Sequence, residues 1–267
     1  MKKWLVLLLL IVSATKVEAQ EIYIPLGDSL AAGQTPYRQI DTGYTDLIAL
    51  RLSYDNDIQF YSKELTFPGY TVANVLQRIE QPDAKSLLSK ATLITISAGA
   101  NDLLQIVQHR PQEGTLTFSQ LAADFSLNQV RQNMGKLLQQ LTEAAPNAEI
   151  YVMGYYFPYS HVHPTQREGT AQQLQLLNTI LQQQAEEHGA SFIEVDSNFN
   201  KYLPNAADVH PTMDGYLTMA NAFLQQYNGT SLAKTMLPKP NPISFEQLIQ
   251  AEQSKTQQEK DLRMSPY

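Results

Sequence analysis

The chain of 267 residues contains no cysteine. Disulfide bonds, thiolate zinc sites and lipid-modified cysteines are therefore excluded, and packing alone must hold the fold together. Charge is also sparse, because charged side chains make up 17% of the residues and leave a formal net charge of −7. A surface of this sign repels nucleic acid and anionic lipid, so we expect no nucleic-acid partner.

Metal and phosphate motifs are scarce as well. The sequence has no glycine-rich phosphate loop and no internal repeat. His161 and His163 have a spacing that zinc ligands can have, but no third ligand can be named beside them. We therefore predict neither a metal site nor a cofactor.

The longest apolar run lies at the N-terminus, where Lys2 and Lys3 precede residues 4–12. Small residues around Ala19 follow, and this order is typical of a secretory signal peptide, residues 1–19, cleaved after Ala19. The run is short for a membrane span, although an uncleaved N-terminal anchor is the alternative. We predict a bacterial protein that is secreted or extracytoplasmic and has no stable membrane span after cleavage.

The rest of the chain is predicted to form one domain over residues 20–230 and an extension over 231–267. The domain is rich enough in apolar residues to bury a core, since 43% of the chain is hydrophobic. Three alternate prolines from Pro238 to Pro242 make the extension stiff at its start. Its glutamine-rich end predicts a partly helical or disordered segment.

Five short apolar runs predict strands that are buried on both faces. They are Ile22 to Leu26, Ile58 to Tyr61, Thr92 to Ser97, Ile150 to Gly154 and Phe192 to Val195. Helical patterns separate them, the clearest over 118–145 and 166–188, with capping boxes starting at Thr117 and Thr165. This alternation predicts an α/β fold, a three-layer α/β/α sandwich around a central parallel five-stranded sheet. Pro25 lacks a donor, so pairing of the first strand is expected to end there.

Three polar motifs follow strands of this sheet. The tetrapeptide 27–30, which contains Ser29, ends the first strand, and 99–102, which contains Asn101, ends the third. His210 lies in the loop after the fifth strand. Because ligands bind at the carboxyl ends of parallel strands, the three motifs are predicted to meet at one edge. A serine, a histidine base and an amide donor suit acyl transfer.

Four blocks of the sequence resemble the SGNH hydrolases, also named after their GDSL motif, and particularly the secreted bacterial lipase or acylhydrolase branch. Ser29 matches the family's nucleophile and His210, followed by a proline, matches its base. Gly69 matches the glycine whose backbone N–H joins the oxyanion hole, and Asn101 matches the asparagine whose side chain joins it. The resemblance covers residues 21–227 and implies a flavodoxin-like fold.

One position departs from the family pattern. The family places an aspartate three residues before the histidine, whereas this chain has Ala207 there and a carboxylate at Asp208. Residues two apart in an extended segment point to the same side, so Asp208 can still reach His210. We predict that Asp208 orients His210, with a backbone carbonyl as the alternative.

The resemblance thus implies Ser29, His210 and Asp208 as catalytic residues. It implies an oxyanion hole made by the N–H groups of Ser29 and Gly69 and by the side chain of Asn101. From the residues alone, Asn101 could instead be a helix N-cap and Gly69 a plain turn glycine. The predicted function is a secreted serine esterase or lipase that acts on small esters or lipids through an acyl-enzyme. A carbohydrate O-deacetylase and a catalytically weak binding module are the alternatives; the oligomeric state stays open.

The walls of the site are predicted from aromatic residues and one long loop. Tyr37, Tyr44, Tyr70 and the cluster at 155–159 are candidates for an acyl pocket or for stacking on a sugar. The stretch Leu103 to Leu116 could act as a flap over the site.

Overall fold

The computed structural model describes residues 20–159, 161–196, 199–251 and 253–254. The predicted signal peptide, residues 1–19, and the end of the predicted extension lie outside the described residues. The boundary predicted between 230 and 231 stays a prediction.

The strands are short and lie mostly between helices. They are β1 (Glu21–Tyr23), β2 (Leu26–Gly27), β3 (Gln39–Ile40), β4 (Ile58–Tyr61), β5 (Leu65–Thr66), β6 (Leu93–Ser97), β7 (Gln108–Arg110), β8 (Thr115–Thr117), β9 (Glu149–Met153), β10 (Ser191–Ile193) and β11 (Ile243–Ser244).

The helices differ widely in length. They are α1 (Ser29–Ala32), α2 (Tyr44–Tyr54), α3 (Val72–Ile79), α4 (Pro82–Leu88), α5 (Ala100–Leu104), α6 (Gln120–Ala144), α7 (Pro164–Glu187) and α8 (Met213–Asn228), with 3-10 turns at Asn200–Tyr202 and Lys234–Met236. Among the residues described, none of these helices combines the length and the apolar character that a membrane span requires.

The central sheet is parallel and has five strand positions. We call each position a row, because two of them are made of two consecutive short strands. β1 and β2 are successive pieces of the first row, and β4 and β5 are successive pieces of the second. In chain order the rows lie 2-1-3-4-5, with β6, β9 and β10 as the last three. This is the order of flavodoxin-like folds. In these folds, ligands bind at the carboxyl ends of the strands, at the point where the strand order reverses, which here lies between the first and third rows. The predicted five-stranded parallel sheet is confirmed.

The break in the first row lies at Pro25, but the pairing does not end there as expected. β2 resumes it, and Gly27 pairs with Thr66 of β5 on one side and Ser97 of β6 on the other. Proline therefore interrupts the ladder without ending it. The row continues to Gly27, two residues before Ser29, which places Ser29 at the carboxyl edge of the sheet.

Helices cover both faces of the sheet. α2 packs against α8 on one face, while α6 packs against α3, α5 and α7 on the other. The predicted three-layer sandwich follows from this packing. Apolar residues at helical spacing on α6 are fully buried, and they are Val130, Met134, Leu137 and Leu141.

The two long helices begin at other residues than predicted. The cap of α6 is Ser119, whose hydroxyl accepts a hydrogen bond from the N–H of Ala122 at 3.4 Å. The cap of α7 is His163, whose Nδ1 accepts from the N–H of Thr165 at 3.4 Å. The capping boxes predicted at Thr117 and Thr165 are therefore wrong, because a neighbouring polar side chain caps each helix.

Two added segments border the carboxyl edge of the sheet. The stretch predicted as a flap forms the end of α5 and most of a β7–β8 hairpin, where Leu116 packs with Phe157 and Tyr159. At the other side, β11 pairs antiparallel with β3, and a helical segment follows over 245–251. The ring of Phe245 in that segment lies 6.3 Å from the ring of Phe67.

Candidate active site

Ser29 occupies the first position of α1, directly after the first row of the sheet. The turn requires glycine at position 27, where φ is +132° and a Cβ atom would lie 2.0 Å from the carbonyl oxygen of Ser97. Asp28 then caps α1 by accepting a hydrogen bond from the N–H of Leu30 at 3.0 Å. A short turn between strand and helix thus presents the Ser29 hydroxyl at the sheet edge.

His210 lies between Ser29 and Asp208. The Ser29 hydroxyl donates to Nε2 of His210 at 2.8 Å, and Nδ1 of the same ring donates to Oδ1 of Asp208 at 2.6 Å. Asp208 also accepts from the backbone N–H of His210 at 2.8 Å. The structure therefore brings together three side chains that are up to 181 residues apart in sequence. A side-chain carboxylate, not a backbone carbonyl, meets Nδ1.

The environment keeps Asp208 ionised. Burial alone would raise the pKa of its carboxyl, but the hydrogen bonds and the charge of His210 outweigh burial and hold this pKa below its ordinary value. A carboxylate at Nδ1 fixes the ring tautomer, so that Nε2 is free to accept the proton of a hydroxyl.

Tyrosine side chains hold the histidine loop in place. The hydroxyl of Tyr156 donates to the backbone carbonyl of Val209 at 2.8 Å, and its ring stacks on Phe199 with centroids 4.1 Å apart. The N–H of Thr212 donates to the carbonyl of Tyr202 at 2.9 Å. Sequence reasoning placed Tyr156 among the candidates for a substrate wall, and its link to Val209 shows that it also positions the neighbour of His210.

Two of the predicted oxyanion donors, Gly69 and Asn101, follow the strands on either side of the row that leads to Ser29. Gly69 follows β5 at a φ of +88°, and no acceptor among the described residues meets its N–H or that of Ser29. Asn101 follows β6, and its side-chain Nδ2 donates to the carbonyl of Tyr70 at 2.9 Å. An amide nitrogen carries two hydrogens, so one remains for a ligand.

Asn101 is not a helix cap, and that alternative is wrong. The cap of α5 is Gly99, at a φ of +130°, and Asn101 is the second residue of the helix. Its bond to Tyr70 instead links the loop after β5 to the helix after β6, which holds two of the predicted donors in one unit.

Asp28 has a different environment from Asp208. It is buried and accepts hydrogen bonds from the hydroxyls of Tyr155 at 2.6 Å and Ser97 at 3.1 Å. Burial raises the pKa of its carboxyl above the ordinary value, although these bonds act in the opposite direction. Asp28 thus fastens the turn that carries Ser29 to the third and fourth rows of the sheet.

A second carboxylate, partly buried, lies beside the oxyanion donors. Asp102 follows Asn101 on α5, and its Oδ2 accepts from the N–H of Val72 at 3.1 Å. Burial raises its pKa to about 6. Sequence reasoning did not single out Asp102, because its partner is a backbone N–H that only the fold brings near.

An apolar pocket opens from Ser29 and His210. It encloses about 80 Å³ between α5, α6 and α7. Its apolar lining includes Leu103, Leu104, Ile106, Val107, Leu174 and Leu177.

The predicted aromatic residues divide between this pocket and other places. Tyr155, Tyr156 and Tyr159 line the pocket. Tyr44 is instead fully buried in the core and Tyr37 is largely exposed, so neither lies in the pocket wall.

Comparison with known proteins supplies a family and a fold. The model of the GDSL-like Lipase/Acylhydrolase family matches residues 26–217. No curated protein matches the sequence. Among solved structures, a lipase from a goat rumen metagenome aligns with a TM-score of 0.63 at 20% identity over 78% of this chain and 97% of its own.

Two further structures have similar scores. A catalytic mutant of an acetylxylan esterase from Geobacillus stearothermophilus has a TM-score of 0.58 at 20% identity, over 82% of this chain and 99% of its own. A phospholipase A1 from Streptomyces albidoflavus has a TM-score of 0.57 at 16% identity, over 78% and 99% of the two chains. At these identities the likeness establishes the fold alone.

Proposed function

Because the chain belongs to the GDSL-like lipase/acylhydrolase family, we propose that it is an exported serine esterase that hydrolyses carboxylic esters through an acyl-enzyme. The observation that carries the proposal is the unbroken hydrogen-bonded series from Asp208 through His210 to Ser29, with distances of 2.6 and 2.8 Å. A serine hydroxyl is a weak nucleophile unless a base within hydrogen-bond reach takes its proton.

The reaction begins when Ser29 Oγ attacks the ester carbonyl and its proton passes to Nε2 of His210. The oxyanion accepts hydrogen bonds from the N–H groups of Ser29 and Gly69 and from Nδ2 of Asn101. His210 then gives the proton to the leaving alcohol, and the acyl group stays on Ser29. Water attacks this acyl-enzyme with His210 again as the base, which releases the carboxylic acid and restores the serine.

The acyl side of the substrate is proposed to be longer than acetyl. Apolar side chains line the pocket beside Ser29, and burial of each methylene there is favourable by about 0.8 kcal/mol. A deacetylase of the same fold needs room for one methyl group on this side. The pocket therefore favours a lipase or a medium-chain esterase over a carbohydrate O-deacetylase such as the acetylxylan esterase among the structural neighbours.

Export is proposed from the first residues of the chain. Lys2 and Lys3, the apolar run over 4–12 and the small residues around Ala19 form the order of a signal peptide. When the full chain is expressed in a bacterial host, we expect the exported protein to begin at Gln20 by N-terminal sequencing. A cell-bound protein that retains residues 1–19 would contradict the proposal and favour an anchor.

The nucleophile is tested by a fluorophosphonate probe followed by mass mapping of the modified peptide. We expect the label on Ser29, and we expect Ser29→Ala to lose the label and about 10⁴-fold or more in kcat/KM. Ser53→Ala, which changes an exposed serine of α2, is the matched control and should keep both. Label on another serine would overturn the assignment.

The substrate class is tested with 4-nitrophenyl esters from acetate to palmitate. We expect kcat/KM to rise beyond acetate because the pocket is apolar. Hydrolysis of acetate alone would favour the deacetylase. A folded protein that hydrolyses none of the esters and takes no label would favour the binding module.

A further inference from the structure

A side-chain amide contacts the ring nitrogen of His210 that faces away from Ser29. Nε2 of Gln34 lies 3.3 Å from Nδ1 of His210, the atom that also donates to Asp208. Gln34 follows α1, is half-buried and lies 176 residues before the histidine. The nitrogen through which the base is oriented therefore has two polar neighbours, and the carboxylate is one of them.

The backbone of Gln34 is held at three points. Its N–H donates to the carbonyl of Ser29 at 2.9 Å, and its carbonyl accepts from the hydroxyl of Tyr216 at 2.5 Å. It also forms an antiparallel bridge with Ile40 of β3, which pairs in turn with Ile243 of β11. The side chain of Gln34 therefore starts from a fixed backbone.

The charge on Asp208 decides which atom of the amide meets Nδ1. Because the pKa of Asp208 is held below its ordinary value, its carboxyl is ionised near neutral pH and the ring hydrogen lies on Nδ1. A second N–H cannot bond to an atom that already carries this hydrogen, whereas an amide oxygen can share the hydrogen as a second acceptor. A half-turn of the Gln34 amide exchanges its nitrogen and oxygen and brings Oε1 to Nδ1.

We propose that Gln34 is a positioning residue for the general base, whose amide oxygen shares the Nδ1 hydrogen of His210 with Asp208. The inference rests on the proposed esterase function and adds a residue that acts on the reaction through His210. The oxygen end of the amide dipole stabilises the positive charge that the ring gains when it takes the proton of Ser29.

The charged groups near the ring stay the same when Gln34 is changed. The charge of Asp28 interacts with His210 from the turn before α1. Arg38, in the same loop as Gln34, interacts with the carboxylate of Asp208. Both interactions are present in every variant of position 34, so they form a constant background.

Two buried tyrosines also lie beside the histidine loop. The hydroxyl of Tyr156 donates to the carbonyl of Val209, and that of Tyr216 donates to the carbonyl of Gln34. Burial raises the pKa of both phenols well above the ordinary value, so neither changes its charge where a histidine titrates. A change in the titration of His210 between variants of position 34 therefore reports the amide.

The test is a pair of substitutions that keep the length of the side chain. Gln34→Met removes the acceptor, and we expect kcat/KM for 4-nitrophenyl octanoate to fall about fivefold with KM little changed, because the lost interaction strengthens as the ring becomes charged. The acid limb of the pH profile of kcat/KM, which reports the base of the free enzyme, should move to lower pH. Gln34→Glu places a carboxylate there, so it should keep most of the rate at pH 8 and move the acid limb to higher pH.

A control in the same loop and a thermal melt separate positioning from packing. Gln39→Met makes the same change at a half-buried glutamine whose backbone pairs with Ser244, and it should keep the rate and the acid limb. Gln34→Leu serves if Gln34→Met does not fold. A lower rate and a lower Tm with an unmoved acid limb would assign Gln34 to packing and overturn the inference, as would a shift of the methionine and glutamate variants in the same direction.

NMR of the resting protein follows the same ring without a substrate. The chain has five histidines, and the ring signal that is missing from His210→Gln identifies His210. The midpoint of its titration should lie at lower pH in Gln34→Met and at higher pH in Gln34→Glu than in the wild type. A rate effect without these displacements would contradict the inference.

Failure of this inference is distinguishable from failure of the esterase proposal. If octanoate is released in a Ser29-dependent way and neither variant moves the acid limb, only the role of Gln34 is wrong. If the folded wild-type protein hydrolyses no ester from acetate to palmitate and takes no fluorophosphonate label, both proposals are wrong.

Discussion

The two sides of the candidate active site treat their carboxylates in opposite ways. In the histidine loop, contact with His210 holds the pKa of Asp208 below its ordinary value. At the strand ends that face this loop, burial raises the pKa of both Asp28 and Asp102. An aspartate in the histidine loop is therefore ionised more readily than an ordinary carboxyl, and an aspartate at the strand ends is ionised less readily.

This difference in pKa goes with two different roles. Asp208 positions the base, His210, whereas Asp28 holds the turn that carries Ser29. Asp208 accepts hydrogen bonds from both the ring Nδ1 and the backbone N–H of His210. Asp28 stands next to Ser29 in sequence, but its bonds go to Leu30, Ser97 and Tyr155. Proximity to the serine in the motif thus says little about which carboxylate orients the histidine.

The strongest test of the comparison is Asp208→Asn. The amide cannot hold the ring with Nδ1 protonated as a carboxylate does, so we expect kcat/KM to fall by about 10³-fold with the fold retained. Steady-state hydrolysis of a 4-nitrophenyl ester and circular dichroism measure the two effects.

The matched change on the other side is Asp28→Asn, for which we expect less than a tenfold loss. Asp55→Asn, at an exposed carboxylate that follows α2 and forms an ion pair with Arg51, is the control outside the site. A larger loss at 28 than at 208 would invert the comparison and assign the orienting role elsewhere.

A smaller effect, mainly on stability, is expected from Tyr155→Phe. The change removes the 2.6 Å hydrogen bond to Asp28 and leaves a buried carboxyl short of one donor. Such a loss costs about 1–3 kcal/mol, which corresponds to a Tm lower by about 5 °C in a chain of this size. Tyr159→Phe is the control, since its hydroxyl has no partner among the described residues, and an equal drop in its Tm would show that the Asp28 contact is not the cause.

Much of the fold could be predicted because its strands and helices have strong local patterns. Strands of a parallel sheet are buried on both faces and leave unbroken apolar runs, and the stripe on α6 repeats at helical spacing. Helix starts were harder, because several nearby polar residues can cap. Thr117 was predicted where Ser119 caps α6, and Thr165 where His163 caps α7.

The meeting of Ser29, Asn101 and His210 at one edge could be anticipated from the order of segments, since each motif follows a strand of the sheet. The supporting contacts could not. Asp28 and Tyr155 are 127 residues apart, and nothing local to either residue indicates the other.

The smallest expected effect concerns the third carboxylate and depends on pH. The pKa of Asp102 is about 6 in the folded protein against an ordinary value of 3.8, so the native state binds more protons than the unfolded state between these values. The contribution of Asp102 to the free energy of unfolding therefore decreases as pH rises from about 4 to 6 and stays lower above that range.

Asp102→Asn removes this penalty, because the amide oxygen still accepts from the N–H of Val72 and carries no charge. The difference between 3.8 and about 6 corresponds to about 3 kcal/mol, and solvent contact of the partly exposed side chain reduces this value. We therefore expect the variant to be more stable than the wild type at pH 8 by about 1 kcal/mol, or about 2–4 °C in Tm, with no difference below pH 4. Asp208→Asn should show the opposite sign, since a lowered pKa contributes stability at neutral pH that is lost on acidification. Thermal melts of both variants from pH 3 to 8 measure this contrast, and equal signs at neutral pH would mean that the two sides of the site do not differ in the way described.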